Sequence, residues 1–325
     1  MIAFLVSAIS ISTVFLFGCV GEIITEKAGH LNLGMPGIMC MGTFGGCFGV
    51  ASYINCIGDA GFASYFLLFL CAVIFAMFFA SLGGLIYAFL TVTLRCNQNI
   101  TGLALTTFGA GFTDYFMSLL NTDRFAMASR LLKTSFSFAD KLGWFGEIFL
   151  SHGIMVYLGI IIAILVALFL RKTKKGLNLQ AVGENPGTAD AVGINVTAYK
   201  YGAILIGSAI AGLGGMFYIM DYSVGSWQNS STIEALGWLA IALVIFAVWK
   251  PDLAILGSFI FGLLYVVVSY SKTALGLTFT LAQNELVQLL PYVMTIIVLI
   301  VTSIIGKKET QPPASLGVNY FREER

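Results

Sequence analysis

Residues 176–194 read GLNLQAVGENPGTADAVGI. The stretch is polar, follows a basic run (Arg171, Lys172, Lys174, Lys175) and lies between long apolar segments. Within it Asn185 precedes Pro186, and Gly193 follows Val192. Asn is favoured as a helix N-cap, Pro at the first helical position and Gly just past the last. The spacing predicts a helix over 186–192, roughly 10 Å long at about 1.5 Å per residue. Its residues are small (Gly187, Thr188, Ala189, Ala191). Such a helix can seat in a groove on a partner, or it can cap a surface loop.

The flanking segments place the chain in a membrane. Of 325 residues, 58% are hydrophobic and 10% charged, where a soluble domain carries about 25% charge. The formal net charge of +1 leaves no basic footprint for nucleic acid. Apolar segments at about 2–21, 33–51, 65–93, 101–119, 153–170, 201–220, 233–249, 253–270 and 286–305 are read as crossings. The expected fold is all-α, a polytopic helix bundle with about nine transmembrane helices, within a range of eight to ten. The third segment is longer than a bilayer needs, so it is tilted or broken near Gly83-Gly84. Pro291 should kink the ninth, and 120–152 has room for a further partial element.

Orientation follows from Lys and Arg. With 171–200 in the cytoplasm and the segments alternating, 12 of the 17 basic residues fall inside. The N-terminus is then outside and the C-terminus cytoplasmic. Residues 2–21 have no basic residue ahead of them and read as a retained first span rather than a signal peptide. We expect one transmembrane domain over 1–306, carrying the 171–200 loop, and a mobile cytoplasmic tail over 307–325.

The six cysteines show no C-x-x-C pair and no histidine at metal spacing, so they read as small packed hydrophobes. Glycines cluster inside the apolar segments, as at Gly45-Gly46, Gly83-Gly84 and Gly214-Gly215, where small residues let helices approach closely. Neutral polar residues gather at two inner mouths: Asn32 on the second segment, and Asn97, Gln98 and Asn99, then Thr106 and Thr107, on the fourth. They have two readings: helix capping and interhelical bonding, or a pathway for a ligand rich in hydroxyl and amide groups. Ser231 and Glu234 have capping-box spacing. His30 and His152 stand isolated at segment ends.

Four stretches carry a resemblance. Ala181-Val182-Gly183-Glu184-Asn185-Pro186, then Ala189 and Gly193-Ile194, resembles the coupling loop of ABC-importer permeases of the branched-chain amino acid, simple-sugar and nucleoside group. Residues 29–42, GHLNLGMPGIMCMG, are similar to a V-N-I-G-L-E-G-M-M-L-M-G signature of the nucleoside permeases that work with a basic membrane lipoprotein. Residues 95–102 are similar to R-x-N-Q-x-x-x-G, and the run 235–264 contains W-K-P-D-x-x-x-x-G-S-x-x-F-G. Together they span about 20–265. One departure is Pro36, where the family has Glu.

The resemblance implies a permease subunit paired with a second homologous permease. A cytoplasmic ABC ATPase would drive it and an extracytoplasmic substrate-binding lipoprotein would feed it. ATP and magnesium would sit on the partner, because this chain has no G-x-x-x-x-G-K-[ST] loop; no cofactor of its own is expected, nor any catalytic residue or metal. Gly183, Glu184, Asn185, Pro186, Ala189, Asp190 and Gly193 would then meet the ATPase. The 29–42 stretch favours nucleosides, with simple sugars and branched-chain amino acids as alternatives. An ion-coupled secondary transporter would want charges at the bilayer midplane, whereas the acids here stand at segment ends. A membrane enzyme would need a catalytic cluster, and the sequence has none.

Overall fold

The structure, a computed structural model, describes residues 2–57, 65–122, 125–134, 142–274, 280–305 and 311–321. All regular structure among them is helical. In chain order the helices are α1 (Ile2–Lys27), α2 (Met35–Ile57), α3 (Tyr65–Ala88), α4 (Gln98–Ser118), α5 (Phe125–Leu132), α6 (Gly143–Phe149) and α7 (Ile154–Lys172). They continue as α8 (Lys174–Glu184), α9 (Pro186–Ala191), α10 (Val196–Phe217), α11 (Ser231–Phe246), α12 (Pro251–Ala274), α13 (Leu281–Gln288) and α14 (Leu290–Ile305).

Six apolar helices among the described residues are long enough to cross a bilayer: Ile2–Lys27, Met35–Ile57, Tyr65–Thr93, Ile154–Lys172, Val196–Tyr222 and Leu286–Ile304. Ser231–Phe246 and Pro251–Val267 are shorter apolar helices. α4 has 21 residues, but Gln98, Asn99 and its threonines lower its apolar character. The 120–152 connection carries two short helices, α5 and α6.

The third segment does not break at Gly83-Gly84. A Cβ on Gly84 would lie 2.3 Å from Ser208 Oγ, and one on Gly83 2.8 Å from Met41 Sδ, so both glycines serve close packing. The helix loosens later, in a π turn over Phe89–Thr93, and stops at Arg95 with φ 56°. In the ninth segment a one-residue turn at Leu289 separates α13, ending at Gln288, from α14, with Pro291 in the first turn of α14. Proline is tolerated there because that N–H has no helical acceptor.

α1, α2 and α10 form the centre. α1 packs on α10, α12, α11 and α7, and α2 packs on α3, α10, α4 and α11. Glycine sets these distances. A Cβ on Gly42 would fall 2.3 Å from Gly212 Cα, joining α2 to α10 backbone to backbone. Gly21 and Gly207 make the equivalent contact between α1 and α10, each blocked by the other's carbonyl oxygen at 2.3 and 2.4 Å. Gly109 on α4 would meet the Gly37 carbonyl of α2 at 2.3 Å. In lipid, where burial of apolar surface gives little drive, such close van der Waals contact holds helices together. α3, α7 and α14 lie outside and show large exposed apolar side chains such as Phe78, Ile161 and Ile296, as helices facing acyl chains must.

α11 is anchored through its N-terminus. The capping box expected at Ser231 and Glu234 is not formed; Ser230 precedes the helix and makes no side-chain cap. Its N–H and hydroxyl both donate to the Asp114 carboxylate of α4, at 2.8 and 2.7 Å. A carboxylate taking two donors is a stronger acceptor than a capping hydroxyl. We expect Asp114→Ala to lower stability by about 1–3 kcal/mol, read as a lower melting temperature of the purified protein. Unchanged melting would show that the anchor contributes nothing.

Candidate functional site

The polar loop folds as two helices. Thr173 caps α8, its hydroxyl accepting from the Gly176 N–H at 3.0 Å. Sequence reasoning missed this helix, although a threonine followed by residues with good helix propensity is its ordinary start signal. Asn185 then caps α9, accepting from the Thr188 N–H at 2.9 Å, with Pro186 at the first position. The end is a Schellman motif: the Ile194 N–H donates to the Ala189 carbonyl and the Gly193 N–H to the Asp190 carbonyl, both at 3.0 Å. Gly193, at φ +86°, supplies the left-handed residue this requires.

α9 has an inner and an outer face. Ala189 is buried against Val182 and Val196. Thr188 and Ala191 face outward, and Val192 is 71% exposed. Gly183 is not a free loop residue. It is buried, and a Cβ there would lie 2.2 Å from the Lys27 carbonyl oxygen. The loop is thus seated on the end of α1.

The tail over 311–321 is packed onto the same face, where a mobile segment was expected. The Ser315 N–H donates to the Gly183 carbonyl at 3.0 Å and the Gly317 N–H to the Gly29 carbonyl at 3.2 Å. Asn319 donates to the Arg95 carbonyl at 2.7 Å and accepts from the Gln98 amide at 3.1 Å. Tyr320 donates to Asp190 at 2.9 Å, and the Arg95 guanidinium stands 4.8 Å from the Phe321 ring centre. These bonds go largely to backbone atoms of distant segments. Tail composition carries no record of them, so only the absence of an apolar pattern was visible.

The polar set divides by burial. Asn32 is fully buried: its N–H donates to Glu22 at 3.0 Å and its side chain accepts from the Gly34 N–H at 3.0 Å. Gln98 is buried and accepts from the Leu31 N–H at 2.9 Å, and Thr106 donates to the Leu33 carbonyl at 2.8 Å. Gln98 and Thr106 fix the 31–34 turn against α4, while Asn32 ties it to Glu22 of α1. Asn97 is exposed and caps α4 through the Ile100 N–H. Asn99 and Thr107 are exposed. Thr107, Phe108, Gly111, Asp114 and Tyr115 continue one open stripe along α4 at helical spacing.

Two acids near the end of α1 were passed over in the sequence. Glu22 and Glu26 are buried one helical turn apart, and Glu26 accepts from the Trp249 indole N–H. Trp249 and Val248 both have positive φ, so the W-K-P-D turn is held in a costly conformation that aims the indole at Glu26. The four-residue spacing of the acids was readable. Their position at the end of an apolar run made them look like interfacial residues.

Over residues 4–299 the sequence matches the family described as branched-chain amino acid transport system / permease component. The chain belongs to this permease family. The permease is 30% identical to the nucleoside ABC transporter permease protein NupC of Lactococcus lactis subsp. cremoris, over 96% of this chain and 95% of that one. It is 29% identical to the guanosine ABC transporter permease protein NupQ of Bacillus subtilis, over 94% and 92%. A candidate glucose ABC transporter permease, TsgC13 of Haloferax volcanii, is 32% identical over 79% of this chain and 74% of its own. The permease is therefore a membrane-embedded subunit of an ABC importer, and not its ATPase.

Proposed function

We propose that this permease forms half of the pathway of an ATP-driven nucleoside importer. The observation that carries the substrate is the near end-to-end match to NupC and NupQ. The match to TsgC13 leaves more of both chains uncovered, which makes a simple sugar the second reading. A second homologous permease completes the pathway, an extracytoplasmic lipoprotein delivers the solute, and a cytoplasmic ABC ATPase holds ATP and magnesium. Nine crossings fit this arrangement: α1, α2, α3, α4, α7, α10, α11, α12 and α14, with the N-terminus outside and α8, α9 and the tail inside.

The coupling segment is Gly183, Glu184, Asn185, Pro186, Ala189, Asp190 and Gly193. Its caps make α9 a rigid lever. Closure of the ATPase dimer would push that lever, and the Gly183–Lys27 contact would pass the push to α1, re-gating the bundle. In the pathway we place Asn97, Asn99 and Thr107 on open surface, while Asn32, Gln98 and Thr106 shape the mouth. The stripe on α4 is neutral but for Asp114, which suits a neutral solute that must be released as well as bound.

The test is uptake of labelled guanosine, adenosine and glucose by cells lacking the gene, with and without the plasmid-borne permease and its partners. Restored nucleoside uptake is the expected result. Restored glucose uptake without nucleoside uptake would move the assignment to sugars.

A further inference from the structure

A cavity of about 400 Å³ lies between the α9 turn, the head of α10, the end of the π turn and the tail. Small-molecule sites run from about 300 to 1,000 Å³. His30, Arg95, Lys200, Asp190, Thr197 and Tyr320 are among its walls. Two of these side chains are buried. His30 is 1% exposed, and neither ring nitrogen has a hydrogen-bond partner among the described residues. Lys200 is 3% exposed.

A buried ammonium without an acceptor is strongly unfavourable. The fold keeps the Lys200 side chain buried at the wall of this cavity. Burial, and after it the positive charge of Lys200, hold the His30 imidazole well below its ordinary value. The ring is therefore neutral, with one N–H to donate. Arg95 stands at the exposed rim, its guanidinium against the Phe321 ring. Thr197 is in the first turn of α10, where the Asn195 side chain caps the Ala198 N–H at 3.0 Å. Asp190 is an acid in the wall, and Tyr320 already donates to it.

We propose that this cavity is a binding site for a phosphate monoester, with Lys200 and Arg95 as charge partners. Two cations suit the three terminal oxygens of a phosphate better than the two of a carboxylate. The remaining volume takes the group that carries the phosphate. Because Asp190 and Tyr320 belong to the coupling segment and the tail, an occupant would tie the two together. The site does not depend on which solute is imported.

A phosphate monoester can come from a soluble metabolite or from a phosphatidic acid headgroup. The experiment uses the full chain in phosphatidylcholine nanodiscs, with thermal melting and calorimetry against inorganic phosphate, AMP and sodium chloride at matched ionic strength. Phosphate and AMP should raise the melting temperature, and chloride should not. Lys200→Met should weaken binding roughly tenfold or more without lowering the unliganded melting temperature, since it removes a buried charge. Arg95→Gln, at the rim, gives a second test that leaves the interior intact, and should weaken binding severalfold. If a headgroup is the natural occupant, phosphatidic acid nanodiscs will raise the melting temperature at the outset and added phosphate will do nothing more; Lys200→Met should remove that rise too. Equal responses to phosphate and chloride in both nanodisc types would overturn the proposal. So would a wild-type response in both variants.

Discussion

Val192→Asp should lower coupled uptake about tenfold or more while the permease still inserts and folds. Val192 is 71% exposed at the end of α9, so the change removes no internal contact. A lone surface valine needs no explanation in general. This one stands beside exposed Thr188 and Ala191, on a helix whose inner face is already committed to Val182 and Val196. A central apolar contact at an interface is typically worth about 2 kcal/mol or more when lost, and a buried unpaired carboxylate adds to that penalty. Uptake and solute-stimulated ATP hydrolysis should fall together, with unchanged yield of purified permease. Wild-type uptake in Val192→Asp would remove α9 from the coupling contact.

Gly42→Leu should abolish folding altogether. The first carbon of any side chain at this position would lie 2.3 Å from the Gly212 Cα. That neighbour is backbone, so no rotamer change relieves the contact. α2 and α10 would have to separate, and both pack on several other helices. The cost should exceed about 3 kcal/mol, a large share of a domain's roughly 5–15 kcal/mol. Gly111→Leu is the matched control, since a Cβ there meets nothing within 4 Å. Gel filtration of fluorescent fusions in mild detergent should give a monodisperse peak for Gly111→Leu and aggregate for Gly42→Leu. Equal peaks would mean that the α2–α10 contact can yield.

The two variants also mark what the sequence could and could not convey. The α9 cap, start and stop were legible because Asn185, Pro186 and Gly193 act within their own turn. The apolar runs were legible because length and composition are local properties. The role of each glycine was not, since Gly42 and Gly111 differ only in what another helix places opposite them. Asn32, Gln98 and Thr106 were found as polar outliers, yet their partners are main-chain atoms or side chains brought in by the fold. Lys200 looked like an ordinary basic residue at a segment end. Only the packing of α10 against its neighbours shows it buried.

The tail gives the molecule an order of completion. Residues 311–321 bond to Gly29, Arg95, Gly183 and Asp190, all of which leave the ribosome earlier. A chain interrupted before Ser315 can insert its helices and form α9 from local capping alone. It would lack the bonds that hold Gly183 and Asp190 from the other side. The surface proposed for the ATPase is thus finished only after residues 311–321 have been made, and a motor subunit that recognises the finished surface would pass over chains that lack them. Assembly would then act as its own proofreading step, sparing the cell a motor that burns ATP on a half-made pore.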